Sequence, residues 1–237
     1  MWRLPINAEL TAAQLTNFVM DEGDSLDHIP VRPLAVRFLA NASEALCRGL
    51  GAPEGYPCLG FITADSDDPL YIALDAATKA AQVTVCYAQS FYAGADNATT
   101  PNAGEVLGVL AGPDPASVKA GLEAAVSALE GLGFRDAGVP CLAHTVSSCG
   151  AFLAKEAGVQ PGAALAYLIA PPLESMYALD SALKAADVKL CKLYTPPTPT
   201  NFGGALLTGT RSACTAACEA FLEAVREAGR NMGGFYG

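Results

Sequence analysis

An eleven-residue segment occurs twice in this chain at an offset of 105 residues, and it constrains the fold more than any other feature. Ala73-Leu-Asp-Ala-Ala-Thr-Lys-Ala-Ala-Gln-Val83 returns as Ala178-Leu-Asp-Ser-Ala-Leu-Lys-Ala-Ala-Asp-Val188, with eight of eleven positions identical. The same offset carries Cys86 onto Cys191. Each copy has the pattern of an alanine-rich helix running into a strand. Two copies this far apart mean two similar units in tandem, since a solenoid would repeat at a shorter period and more often. A chain of 237 residues accommodates two units of about 100 residues, each large enough for its own core.

The pattern of strands and helices is the same in both units. In the first, strands over 34–39, 58–63, 82–88 and 105–110 alternate with helices over 42–50, 68–81 and from Asp114 onward. Asp68-Pro69 and Asp114-Pro115 both look like an N-cap followed by a first-turn proline. In the second, strands over 139–146, 163–170, 187–193 and 204–208 alternate with helices over 147–157, 173–186 and 211–228, and Gly229 is placed as a C-terminal cap. The fold class is α/β, an α+β sandwich in which each unit is a small sheet packed with helices. The divisions are 1–31 as an N-terminal extension, with a short amphipathic helix over Thr11–Met20, then 32–136 and 137–237 as the two units. Two irregular stretches, 90–103 and 195–201, fall at equivalent points of the units. Long loops without structure of their own are often functional.

Only 16% of the residues are charged, which is low for a free surface and suits one covered by other subunits. The net charge of −10 argues against nucleic acid and anionic membranes as partners. No stretch is apolar for long enough to span a bilayer, and no secretory signal is recognisable. The eight cysteines include no CxxC pair and fit small buried thiols in a reducing cytosol. With two histidines, a metal centre is not expected.

Catalytic patterns are absent: no glycine-rich phosphate loop, no GxSxG elbow, and a His144/Cys149 spacing that puts the two side chains in unrelated directions. No catalytic residue is assigned. The one polar concentration is Asp65-Ser-Asp-Asp68, between a buried strand and the repeated helix. A helix N-terminus explains Asp68 as a cap but leaves Asp65 and Asp67 as surplus negative charge. Pro171, Pro172 and Glu174 stand at the corresponding point of the second unit. Carboxylates gathered at equivalent places suit a polar opening that favours cations.

At these residues the sequence resembles a known family. Phe61-Ile-Thr-Ala-Asp-Ser-Asp-Asp68, Ser90-Phe-Tyr-Ala-Gly94, Gly104-Glu-Val106, Ala170-Pro-Pro-Leu-Glu174, Pro196-Pro-Thr-Pro-Thr-Asn-Phe202 and Leu206-Leu-Thr-Gly209 are similar to the ethanolamine-utilisation shell protein L family of bacterial microcompartments. The similarity runs from about Arg32 to Arg230. It implies two circularly permuted shell domains per chain, each a mainly antiparallel sheet with helices. Three chains form a homotrimer that imitates a hexamer and tiles a shell beside other shell proteins, within the cytoplasm. It also implies a central pore gated by two loops. Their residues here are Ser90, Phe91, Tyr92, Ala93 and Gly94, and Thr195, Pro196, Pro197, Thr200, Asn201 and Phe202. Three small acidic pores per trimer complete the arrangement: Asp67, Glu105 and Glu174 match acidic positions there, Phe134 matches an aromatic, and Asp65 and Asp68 flank them. Small metabolites such as ethanolamine are the implied cargo. Some members bind a cobalamin at the central pore region; nothing in the residues themselves requires a cofactor. Two departures stand out, the extension 1–31 and Ser147-Ser-Cys-Gly150 in place of a segment with a basic residue.

Two further readings are open at this point. One is a small-molecule binding or sensing module that holds an amine or a corrinoid. The other is an enzyme, which the missing nucleophile and base disfavour.

Overall fold

A computed structural model of the chain describes residues 28–92 and 100–230. The helix expected over Thr11–Met20 and the loop residues Ala93 and Gly94 lie outside the described residues.

Two antiparallel sheets carry the fold. The elements, in order, are β1 (His28–Pro30), β2 (Pro33–Leu39), α1 (Glu44–Gly49), β3 (Cys58–Ala64), α2 (Asp67–Ala80), β4 (Thr84–Ser90), β5 (Val106–Gly112) and α3 (Pro115–Glu130). There follow β6 (Gly133–Asp136), β7 (Pro140–Val146), α4 (Ala151–Ala157), β8 (Ala164–Ala170), α5 (Pro172–Ala185), β9 (Val188–Tyr194), β10 (Gly203–Gly209) and α6 (Arg211–Arg230). The first sheet is ordered β2-β3-β5-β4 and the second β1-β6-β7-β8-β10-β9. Stripped of β1 and β6, the second sheet has the order of the first, so the sequence repeat is a repeat of fold.

The equivalence extends to irregularities. Pairing between β4 and β5 skips Cys86, and pairing between β9 and β10 skips Cys191. Both repeated cysteines are therefore the extra residue of a β-bulge, at the same place in an edge strand. Burial pushes the Cys86 thiol up to about 11, and all eight cysteines are free.

Three apolar clusters hold the layers. On one face of the first sheet Ile62 and Leu110 pack with Leu74, Val118 and Leu129 of α2 and α3, and this cluster continues across the unit border to Leu153, Leu165 and Ile169. The helix-bearing face of the second sheet packs Ala166, Leu168 and Leu207 against α5 and α6, with Phe221 fully buried. A small cluster of Cys47, Leu59, Val109 and Ala111 lies between α1 and the other face of the first sheet. Along β8 the alternation of two faces explains why all seven residues are buried: Leu165, Tyr167 and Ile169 face the first unit, while Ala164, Ala166 and Leu168 face α5 and α6.

Several local expectations need correction. Asp68 is not the N-cap of α2; Ser66 is, so Asp67 and Asp68 occupy the first turn and Pro69 the third helical position. Proline is tolerated there because the first-turn amides have no partner in the helix. Gly229 lies inside α6, which runs to Arg230, so it is no cap. Helix α4 starts at Ala151 rather than 147, with Gly150 as N-cap. Asp114 caps α3 as expected, accepting from Ser117 N at 2.9 Å. The short strands β1 and β6 were not anticipated. They pair with each other, so His28–Pro30 of the expected extension belongs to the second sheet.

Candidate acidic cleft between the two units

The strand–helix junction after β3 brings the acidic run to the border between the units. Asp65 is exposed and structural. Its carboxylate accepts from Arg32 N at 2.8 Å while its own N–H donates to Arg32 O at 3.2 Å, which fixes the start of β2. Asp67 and Asp68 are buried in the first turn of α2, and Asp67 Oδ1 accepts from Asp68 N at 2.9 Å. Glu105 is brought alongside by Gly104, whose φ of +62° lets the chain turn tightly against the Ala64 carbonyl. Glu105 N then donates to Ala64 O at 3.0 Å, and Glu105 O accepts from Phe91 N at 2.9 Å, at the root of the first loop.

A cleft of about 270 Å³ opens at this point. The first unit supplies Asp67, Asp68, Tyr71 and Ser90; the second supplies Glu156, Tyr167, Lys192 and Tyr194; Thr198, Pro199, Thr200 and Phe202 of the second loop close one side. Polar and ring contacts order the cleft, and the first of them crosses the border between the units. Tyr167 on β8 donates to Asp68 Oδ1 at 2.7 Å, the Tyr167 and Tyr194 rings stack with centroids 6.4 Å apart, and the Tyr71 hydroxyl lies 2.5 Å from Ser90 Oγ. At the rim Lys192 Nζ pairs with Glu156 Oε2 at 2.6 Å and sits 5.2 Å over the Tyr194 ring.

Burial and the crowding of carboxylates move the proton equilibria of Asp68 and Glu105 upward. Burial first, then the neighbouring Asp67 charge, holds the Asp68 carboxyl well above the usual carboxylate range, although the Tyr167 hydrogen bond opposes the shift. Glu105 is raised by partial burial and by the charges of Asp67 and Asp65. Burial and the Asp68 charge raise the Tyr167 phenol. His144 is lowered by burial and by Lys79. A positive charge placed next to Asp67 would relieve this mutual repulsion.

The residues singled out in sequence are brought together only in part. Asp67 and Asp68 line the cleft; Asp65 and Glu105 lie outside it, with Glu105 within electrostatic reach of both Asp67 and Asp65. Phe134 on β6 packs edge-to-face on Phe202 at 5.9 Å, so the aromatic meets the second loop. Glu174 opens α5 in the other half of the molecule and does not line the cleft. In the second loop the Pro196–Pro197 bond is cis, Asn201 adopts φ 61°, and Thr198 Oγ1 donates to Phe202 O at 2.6 Å. Tyr92 is exposed at the start of the first loop. Sequence reasoning missed the three tyrosines and the Glu156–Lys192 pair. One signal was available: Tyr71 sits where the repeat has Met176.

Among the described residues no group of acidic, histidine or cysteine side chains is arranged to hold a metal, and no helix is long and apolar enough to cross a membrane. A family model described as the BMC domain matches residues 58–139. The chain is 54% identical over 194 residues to the bacterial microcompartment shell protein EutL of Clostridium perfringens, covering 79% of this chain and 89% of that one. It is 47% identical over 198 residues to the Escherichia coli protein of the same name, covering 81% and 90%. The crystal structure of the ethanolamine utilization protein EutL from Leptotrichia buccalis superposes with a TM-score of 0.85 at 51% identity, covering 88% of this chain and 99% of that one. Two fused units of this kind, meeting at a small acidic cleft, define a structural protein of the bacterial microcompartment shell. Within that class the chain belongs to the EutL family.

Proposed function

We propose that the chain is a homotrimeric tile of an ethanolamine-utilisation microcompartment shell, set beside other shell proteins, and that the carboxylates at the start of α2 line a small passage for an ammonium-bearing metabolite. The observation that carries the passage is the gathering of buried Asp67 and Asp68 with Glu105 at the border of the units, where burial and then crowding raise the carboxyls of Asp68 and Glu105. A protonated amine in so narrow a space gains more from carboxylates than it does in water. The tile reading is supported by large apolar side chains left in solvent, among them Leu173, Leu190 and Leu193. The reading includes no catalytic step and no cofactor.

The test is calorimetric titration of ethanolamine into wild type and into Asp67→Ala/Glu105→Ala, with mass by light scattering. The double variant is expected to keep the wild-type mass and lose at least tenfold in affinity. Unchanged affinity would refute the passage. The second reading, a binding module, is favoured by the size of the cleft and its three tyrosines. It expects full affinity in a variant that cannot assemble.

A further inference from the structure

The bulge at Cys191 decides where β9 aims its side chains. Leu190 lies opposite Leu207, which faces α5 and α6, and Lys192 lies opposite Leu206, which faces the first unit. Without the extra residue Leu190 and Lys192 would share a face, because side chains alternate along a strand. With it, Lys192 and Tyr194 turn together into the cleft, while Leu193, opposite Ala205, joins Leu190 on the other face. Behind the matching bulge of the first unit the corresponding residue is Tyr87, so the bulge has no need of a lysine.

The carboxylate that meets Lys192 comes from α4. Asp75 of α2, fully buried, accepts from Gly150 N at 2.6 Å and Leu153 N at 2.9 Å, which caps α4 and seats its start on the first unit. Glu156 follows Phe152 by four residues and Leu153 by three, so the three side chains share one side of the helix, and all line the cleft. Lys192 Nζ thus lies between Glu156 Oε2 at 2.6 Å and the Tyr194 ring at 5.2 Å. A carboxylate together with an aromatic face is the chemistry that recognises ammonium compounds. The Glu156 charge is felt at Tyr194, where it adds to burial in raising the phenol. From there the Tyr194 ring stacks on Tyr167, whose hydroxyl is bound to Asp68, so ring faces run from the mouth to the acidic end.

Lys192 is a weakly held occupant. Its side chain is 41% exposed and that of Glu156 35%, and an ion pair so open to solvent is worth little. The ammonium sits on a flexible four-carbon stem, which regains rotamer freedom when it swings into solvent. Among the described residues that line the cleft, Lys192 is the one cation. A positively charged ligand arriving at the mouth therefore meets a like charge on the very groups that would hold it.

We propose that Glu156 and the Tyr194 ring form a second ammonium subsite at the mouth of the cleft, that the chain's own Lys192 fills it at rest, and that a primary or quaternary ammonium ligand enters by displacing Lys192. This rests on the reading of the cleft as a passage for ammonium compounds and adds to it a residue that sets how readily they are admitted. Lys192 acts as a tethered competitor, so removing its charge strengthens binding, whereas a lysine that only braced β9 against α4 would on removal weaken the fold and leave affinity unimproved.

The test is calorimetric titration of tetramethylammonium chloride into the full chain, with tert-butanol as an uncharged probe of similar shape and circular dichroism to establish folding. Lys192→Met is expected to bind tetramethylammonium about fivefold more tightly than wild type, and Lys192→Arg, which keeps the charge, within about twofold of it. Adding Glu156→Gln to Lys192→Met is expected to abolish the gain, and tert-butanol is expected to show none. If Lys192→Met does not fold, Lys192→Gln makes the same comparison. No gain in the neutral variant, a gain that survives Glu156→Gln, an equal gain in Lys192→Arg, or an equal gain for tert-butanol would each overturn the subsite. Ethanolamine titrated into Asp67→Ala/Glu105→Ala separates this from the passage. Loss there without a gain in Lys192→Met would overturn the subsite alone, and a gain in Lys192→Met without loss there would overturn the passage alone.

Discussion

Asp75 and Asp180 occupy the same place in the repeated segment and meet opposite environments, so the chain contains its own control for the cost of a buried carboxylate. Asp75→Ala removes the acceptor of two backbone N–H groups at 2.6 and 2.9 Å and the partner of Lys79 at 3.6 Å. A buried N–H left without a partner costs about 1–3 kcal/mol, and removing one partner of a buried ionic pair about 3–5 kcal/mol. Lys79 keeps its bond to Ser148 O at 2.9 Å and stays partly in solvent, which limits its share. The two orphaned amides therefore dominate, and about 3–4 kcal/mol is expected. For a chain of this size that lowers Tm by roughly 6–16 °C. Asp180→Ala removes only an exposed helical pair, worth about 0.3–0.5 kcal/mol. The assay is urea unfolding followed by circular dichroism, at one protomer concentration because assembly contributes to apparent stability. If Asp75→Ala costs less than about 1 kcal/mol, or no more than Asp180→Ala, then the cap on α4 is not what joins the units.

Three further outcomes follow from the same geometry. Asp68, whose carboxyl is raised in the folded chain, contributes stability below the unfolded value of about 3.9 and loses it as pH rises through the folded value. Asp68→Asn should therefore be more stable than wild type at pH 7–8, with the advantage shrinking toward pH 4 in thermal melts; a constant difference would refute the linkage. Tyr167→Phe leaves buried Asp68 without its donor and should cost about 1–3 kcal/mol in urea, without changing the mass of the assembly. Gly104→Ala forces a Cβ onto the Ala64 carbonyl at positive φ, so ethanolamine affinity measured by calorimetry should fall along with stability, since Glu105 is held by that turn.

The repeat was legible because it is written in identities, and most of the strand and helix order followed from it. Other features depend on contacts between distant residues. The Asp68-Pro69 pair carries a local cap signature, yet the chain starts α2 earlier and gives Asp68 to Tyr167, 99 positions away. Strands β1 and β6 have three and four residues, too few for an alternating pattern to register. The Cys86/Cys191 match was visible in sequence, but its cause, a bulge at one place in both edge strands, appears only in the pairing. The acidic residues of the cleft were found and its tyrosines were not, because carboxylates clustered in sequence advertise themselves. Tyr71, Tyr167 and Tyr194 meet only when the two units pack.

That packing also accounts for where the polar groups were placed. The seam inside the chain forms in the same event as folding, at the effective concentration that a covalent link imposes. Buried groups such as Asp75 and the Asp68–Tyr167 pair are desolvated there once, with their partners already beside them. A seam between copies forms from chains that are folded and hydrated, so each buried carboxylate would carry its desolvation cost into the association constant. At the repeat positions of Asp68, Thr78, Val85 and Ala88 the second unit instead carries the exposed leucines 173, 183, 190 and 193, and α1 takes its cap from its own Ser43. Asp67, Asp68 and Asp75, the buried carboxylates among the described residues, all lie where the two units of one chain meet, so their burial is completed in the folding step itself.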